Sequence, residues 1–143
     1  MMKRIFVALD ASQRASLVLS AAASLATLSA AKLVLFRAVG LPPEVPRELL
    51  DATDLTVEDI MRRNAHADLS RMAAELAPGL VEAVVVDMCI PWDGICRAAR
   101  EQEVDLIAIG SHGYGGLDRV LGTTAGKVVN HADRNVFVVR TVL

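Results

Sequence analysis

Glycine residues are concentrated near the C-terminal end of the chain, in a pattern that points to a particular chemistry. Six of the nine glycines lie between Gly110 and Gly126, in GSHGYGGLDRVLGTTAG. Glycine lets backbone N–H groups approach an anion closely, and a following helix start adds unpaired N–H groups and a partial positive charge. This segment therefore indicates a phosphate-binding loop. The alternative is a tight surface turn that binds nothing, with Thr123 or Thr124 as the N-cap of the next helix.

A carboxylate follows the first β-rich segment, at Asp10 in LDAS. One interpretation makes it a helix cap, because Asp10 and Gln13 have the spacing of a capping box. The other interpretation has Asp10 face a ligand, and both remain open. His112 lies within the glycine-rich segment. Since no nucleophile or orienting carboxylate stands beside it in the sequence, a polar role in the loop is favoured over proton transfer.

The elements that must position these residues alternate along the chain. Five β-rich segments are predicted strands: Arg4–Leu9, Lys32–Val39, Leu80–Asp87, Val104–Gly110 and Asn135–Thr141. Strict alternation with helices requires parallel strands and right-handed crossovers. We expect one α/β domain over residues 1–143, with a flavodoxin-like open five-stranded parallel sheet of order 3-2-1-4-5 and helices on both faces. Ligands bind where this order reverses, between strands 1 and 4.

Four helices are predicted between the strands. The first has an apolar face of Leu17, Ala21, Leu25 and Leu28 and a cap at Asp10 or Ser12. The second carries Val57, Ile60, Met61, Met72 and Leu76 and ends at Pro78-Gly79. The third begins at Pro91, and the fourth runs from about Thr124 to Ala132. The proline-rich segment from Val39 to Asp54 is predicted to fold over the site as a lid.

Composition excludes several classes of partner. The chain has 143 residues, 53% of them hydrophobic, and a net charge of −2 with both signs mixed, so no basic stripe is present for nucleic acid. Its apolar runs are too short or too diluted by serine for a membrane span or a signal peptide. Cys89 and Cys96 form neither a redox pair nor a zinc-ligand set. Reduced core thiols favour the cytoplasm.

The segment VDLIAIGSHGYGGLDRVLGTTAGKVVNHADRNVFVVR resembles the C-terminal signature of the universal stress protein family. The resemblance extends to IFVALDAS, to LVLFRAV and to IPWDGICRAAREQEVDLIAIG, and so covers nearly the whole chain. It implies a flavodoxin-like, commonly dimeric cytoplasmic protein. Some members bind ATP through a glycine, two residues, a glycine, nine residues and then glycine-Ser/Thr, whereas others bind no nucleotide.

The resemblance also implies a set of ligand-binding positions. By this resemblance, the residues around the phosphates would be Gly110, His112, Gly113, Gly122, Thr123 and Thr124. His112 is the polar residue within the first turn, between Gly110 and Gly113. The Asp10 carboxylate would face the ribose or a phosphate-bound Mg²⁺. Backbone groups at Ala38 would meet the adenine edge.

Two functions follow from the resemblance. The first is an ATP-binding stress-response regulator that acts as a homodimer through strand 5. It is not expected to be an enzyme, although slow incidental hydrolysis of ATP is compatible with it. The alternative is a nucleotide-free dimeric interaction protein of the same family. Two departures favour the alternative: eight residues separate Gly113 from Gly122, one fewer than in the ATP-binding pattern, and Cys89 stands where the family often has glycine, two residues before Pro91.

Overall fold

A computed structural model describes residues 1–40, 47–112 and 121–141, with the backbone alone for residues 47–56. The strands are β1 (Arg4–Ala8), β2 (Lys32–Val39), β3 (Val81–Met88), β4 (Leu106–Gly110) and β5 (Asn135–Val139). The helices are α1 (Ala15–Ser29), α2 (Arg47–Ala74), α3 (Pro91–Glu101) and α4 (Thr123–His131). Among the described residues, none of these helices is long and apolar enough to cross a membrane.

The five strands form one parallel sheet of order β3-β2-β1-β4-β5. The predicted fold class and strand order are therefore confirmed. Ile5 of β1 lies opposite Leu33 of β2 on one side and Leu106 of β4 on the other. This register places the carboxyl ends of β1 and β4 side by side at the point where the strand order reverses.

The sheet separates two apolar layers, because successive residues of a strand face opposite sides. Ile5, Val7 and Leu9 pack with α1 and α2, whereas Phe6 and Ala8 pack with α3 and α4. The rings of Phe6 and Phe36 meet at 5.1 Å between centroids. Since β1 is buried on both faces, the chain leaving it at Leu9 and Asp10 starts from a fixed position.

Helix α1 buries a different face from the predicted one. Leu17 is 38% exposed and Leu28 is 86% exposed, so their assignment to the core was wrong. The buried residues are Ala15, Val18, Leu19, Ala22 and Ala26. Small alanine side chains let the helix lie close to the sheet, and this close packing outweighs the greater hydrophobicity of the leucines.

The start of α1 also differs from the prediction. Its N-cap is Arg14, and no side-chain capping hydrogen bond is formed there. The predicted cap at Asp10 or Ser12 was therefore wrong. Asp10 lies too far before the helix to cap it, and its carboxylate instead bonds to Ser12 within the preceding turn.

Helix α2 begins at Arg47, earlier than the sequence pattern predicted. The residues from 47 to 54, predicted to belong to the lid, are therefore helical, while residues 41–46 lie outside the described part of the chain. Helix α3 begins at Pro91 as predicted, since proline suits the first turn of a helix.

Candidate functional site

A cavity of about 440 Å³ lies at the adjacent carboxyl ends of β1 and β4, where the strand order reverses. One part of its wall is apolar and comes from strands and α3: Ala8, Phe36, Ala38, Pro91, Ile95 and Ile109. The other part is polar and comes mainly from the chain after β1, the chain after β4 and the start of α4: Asp10, Ser12, Arg14, His112, Thr123, Thr124 and Thr141. The cavity thus suits a ligand with an apolar body and a polar end.

The structure brings most of the predicted site residues to this cavity: Asp10, Ala38, Gly110, His112, Thr123 and Thr124. Gly122 is the residue immediately before α4. Gly113 lies outside the described residues. Pattern analysis did not identify Arg14, Pro91 or Ile95, although each stands at or near a helix start and the rule that places ligands at strand ends extends to those positions.

Asp10 lies in a tight turn at the cavity mouth. Its Oδ1 accepts hydrogen bonds from the Ser12 backbone N–H at 2.9 Å and from the Ser12 hydroxyl at 2.6 Å. Ser12 Oγ in turn accepts from the Arg14 N–H at 3.2 Å. The turn fixes the direction of the exposed carboxylate without burying it. Asp10 is therefore oriented for a ligand by its own local sequence.

Arg37, a buried residue of β2, also fixes the turn at Asp10. Its buried guanidinium donates from Nε to the Leu9 carbonyl at 3.1 Å and from Nη2 to the Asp10 carbonyl at 2.9 Å. Its Nη1 donates to Asp68 Oδ2 on α2 at 2.7 Å, and this bond is the main reason that the pKa of Asp68 lies below its ordinary value. Sequence analysis missed this role, although a charged residue within the apolar strand LVLFRAV was a signal for it.

The start of α4 presents backbone N–H groups to the cavity. Its N-cap is Gly122, with φ −61° and ψ 162° and no side-chain capping bond, so the predicted N-cap at Thr123 or Thr124 was wrong. The first turn of α4 contains no acidic residue. The Gly122 N–H donates to the Ser111 carbonyl at 3.2 Å, which holds the helix start beside the end of β4. Such a helix start is suited to an anion.

Positive φ does not explain the glycines that the structure describes in this region. Among the described glycines, Gly79 is the one with positive φ. Gly110 instead lies close to α1, because a Cβ there would be 3.0 Å from Val18 Cγ2 and could be accommodated only if that side chain shifted. Gly113, Gly115 and Gly116 lie outside the described residues.

Cys89 does not crowd the cavity. Its Sγ faces Gly94 in the first turns of α3, where a Cβ on residue 94 would collide with it. Burial raises the pKa of the Cys89 thiol. Cys89 is not among the described residues that line the cavity. The small residue required here is thus Gly94, which leaves room for the thiol of Cys89.

Trp92 packs at the outer end of α3, next to Pro91 of the cavity wall. Its ring centroid lies 4.7 Å from that of His131, and Lys127 Nζ lies 5.7 Å from the Trp92 ring centroid. These contacts join α3 to α4 and make Trp92 a packing residue between the two helices. They also place Lys127 over a ring, a contact that the sequence pattern did not predict.

The fold and the cavity together define a doubly wound α/β domain with a cavity at the topological switch point, where such folds bind ligands. A family model described as the universal stress protein family matches residues 1–140, and the chain belongs to that family. No curated protein sequence matches the chain significantly.

Solved structures show the same architecture. The universal stress protein UspA from Lactobacillus plantarum is 28% identical, with a TM-score of 0.68 and coverage of 97% of this chain and 98% of that one. A universal stress protein in complex with cAMP is 22% identical, with a TM-score of 0.65 and coverage of 99% and 98%. A universal stress protein from Archaeoglobus fulgidus in complex with dAMP is 22% identical, with a TM-score of 0.60 and coverage of 97% and 99%.

Proposed function

We propose that this protein binds an adenine nucleotide, preferentially ATP, in the cavity between β1 and β4 and acts as a stress-response regulator. The observation that carries the proposal is the joining of an apolar pocket, an oriented carboxylate and the start of α4 in one cavity. Two structural neighbours are described as complexes with cAMP and with dAMP, both of which are adenine nucleotides.

Each part of the nucleotide has a matching part of the cavity. The base would occupy the apolar part, between Phe36, Ala38 and Ile95. The Asp10 carboxylate would accept hydrogen bonds from ribose hydroxyls. The phosphates would lie at the start of α4, where Thr123 and Thr124 line the cavity and backbone N–H groups favour negative charge.

The residues present also fit a phosphate-bound Mg²⁺. Magnesium ions bound with nucleotides use one or two protein carboxylates together with phosphate oxygens and water. Among the described residues that line the cavity, Asp10 supplies the one carboxylate, and its two hydrogen bonds within the turn both involve Oδ1. No cluster of three metal-ligating side chains occurs among the described residues. The ion would therefore arrive with the nucleotide.

Regulation, not catalysis, is the proposed activity. The His112 imidazole contacts the Arg14 guanidinium at the cavity wall. This contact supports a polar role for His112 in the loop over a role in proton transfer. Slow hydrolysis of bound ATP by water would be incidental. We place the protein in the cytoplasm, in keeping with its free Cys89 and Cys96.

We also propose a homodimer through β5. This strand is an edge of the sheet, and its outer backbone groups are available to pair with a second copy. Light scattering across a concentration series is expected to give twice the mass of one chain. A single-chain mass at every concentration would reject the dimer.

Calorimetric titration of Mg-ATP into protein freed of carried-over nucleotide tests the binding proposal. We expect a dissociation constant on the order of micromolar. Ala38→Phe, which fills the apolar part of the cavity, is expected to abolish binding. Ala67→Phe on the exposed side of α2 is the matched control and should bind as the unsubstituted protein does.

The nucleotide-free interaction protein is the second candidate function. The segment between Gly113 and Gly122 is one residue shorter than the ATP-binding pattern, which is the observation in its favour. Each adenine nucleotide is titrated into a correctly folded dimer, and binding heat and Trp92 fluorescence are measured. If neither signal changes with any of the nucleotides, the result supports this candidate and rejects the nucleotide-binding regulator.

A further inference from the structure

The polar part of the cavity carries a cation to which the proposed function has not assigned a role. Arg14 is the last residue before α1 and lines the cavity. Its Nη1 contacts both ring nitrogens of His112, with Nη1 3.2 Å from Nε2. The contact bridges the chain after β1 and the chain after β4, across the place where the strand order reverses.

This bridge continues towards α4. Ser111, the residue before His112, accepts a hydrogen bond from the Gly122 N–H at 3.2 Å. Arg14, His112 and the first turn of α4 therefore lie along one side of the cavity. Neither α1 nor α4 has an acidic residue in its first turn.

The charge along this side favours an anion larger than one phosphate group. The two helix starts each contribute a partial positive charge and Arg14 adds a full one, while Asp10 supplies the one carboxylate among the described lining residues and is the proposed Mg²⁺ ligand. Guanidinium groups stay protonated throughout the physiological pH range and bind phosphate oxygens through directed hydrogen bonds. His112 holds the guanidinium in the cavity wall, which reduces the entropy lost when a phosphate binds.

We propose that Arg14, positioned by His112, makes the cavity selective for nucleoside polyphosphates over monophosphates and nucleosides. The guanidinium contacts a phosphate beyond the first one, so its contribution grows with the length of the phosphate chain. This inference rests on the proposed nucleotide site and adds a specificity-determining residue to it.

The test compares ATP, ADP, AMP and adenosine by calorimetry on the full chain. Arg14→Gln is expected to lower the affinity for ATP about tenfold, in line with a lost hydrogen bond to a charged group, and to leave that for adenosine unchanged. Arg63→Gln, an exposed arginine of α2, is the charge-matched control and should leave all four affinities unchanged. Equal melting temperatures establish that the variants are folded.

A salt series supplies a second measurement. The affinity of the unsubstituted protein for ATP should fall more steeply with salt than that of Arg14→Gln, because one charge contact is missing in the variant. Equal losses for all four ligands, or an unchanged affinity for ATP, would overturn the inference and leave the nucleotide site in place. Failure of all four ligands to bind the unsubstituted protein would reject the proposed site and this inference together.

Discussion

At the amino ends of the strands, charged side chains are satisfied by the protein itself. Asp105 Oδ2 accepts hydrogen bonds from the backbone N–H groups of Lys3 at 2.7 Å and Arg4 at 2.9 Å. The Arg4 guanidinium donates to Glu82 Oε2 at 2.8 Å and to the Gln102 carbonyl at 3.2 Å. These contacts tie the first strand to β3 and to the chain around β4. Polar groups at this end stabilise the sheet.

At the carboxyl ends, polar side chains instead line a cavity. The Asp10 carboxylate is exposed, Arg14 and His112 meet across the cavity wall, and Thr141 Oγ1 is buried without a hydrogen-bond partner among the described residues. Arg37 is the structural exception, because it holds the Leu9 and Asp10 carbonyls from within the core. The polar groups at one end of the sheet thus bond to one another, whereas most of those at the other end line a cavity.

Replacing Arg37 should have the largest effect on the stability of the protein. Arg37→Met leaves the Leu9 and Asp10 carbonyls without their donor and removes the buried one of the two arginines that pair with Asp68, so we expect the free energy of unfolding to fall by about 3 kcal/mol. Urea denaturation measures it, with the exposed Arg63→Met as control. An Arg37→Met protein as stable as the unsubstituted one would show that Arg37 does not stabilise this end of the sheet.

At the amino end of the sheet, Asp105→Asn should lower the free energy of unfolding by about 1 kcal/mol. The effect is small because the Asp105 carboxylate is exposed and solvent weakens its interactions. The hydrogen bonds from Arg4 and Lys3 are the main reason that the pKa of Asp105 lies below its ordinary value. A lowered folded pKa stabilises the protein fully above the unfolded pKa of about 4, and this stabilisation is lost as the pH falls from there through the lower folded pKa.

Denaturation of Asp105→Asn and the unsubstituted protein at several pH values checks this sign. Their difference in unfolding free energy should be largest near neutral pH and should shrink below about pH 4. A difference that grows on acidification would contradict the role of the carboxylate. Asp59→Asn on the exposed side of α2 is the matched control.

Thr141→Val should leave the stability unchanged or raise it by up to about 1 kcal/mol, since it removes a buried hydroxyl that has no partner among the described residues. Thermal unfolding measures the change. A loss of stability would show that the hydroxyl makes a structural hydrogen bond, and would weaken the contrast between the two ends of the sheet.

The smallest effect on stability is expected at Asp10. Asp10→Asn retains an oxygen that accepts from Ser12, so the free energy of unfolding should change by less than about 0.5 kcal/mol. The affinity for Mg-ATP should nevertheless fall, because the substitution removes the carboxylate charge. Calorimetry and urea denaturation on the same sample separate the two quantities. A large loss of stability would place Asp10 with Asp105 as a structural carboxylate.

Much of the fold and part of the candidate site could be predicted from the chain's pattern. Alternation of strands and helices was enough for the strand order, and the strand-order reversal then located the site at Asp10 and Gly110. The buried face of α1 could not be predicted, because Leu17 and Leu28 follow helical spacing as well as its small residues do. Hydrophobic spacing does not show how closely a helix approaches a sheet.

The sequence by itself determined the periodicities, the parallel topology that they require and the chemical types of the residues at the strand ends. Only the tertiary structure decided that Arg14 meets His112, 98 positions later, and that Arg37 joins the turn at Asp10 to Asp68. The physical reason is the separation along the chain of the residues that interact. Local spacing records the preferences of neighbouring residues, whereas hydrogen bonds and collisions between distant residues depend on how the layers pack. The space that Gly94 leaves for Cys89 is decided in the same way.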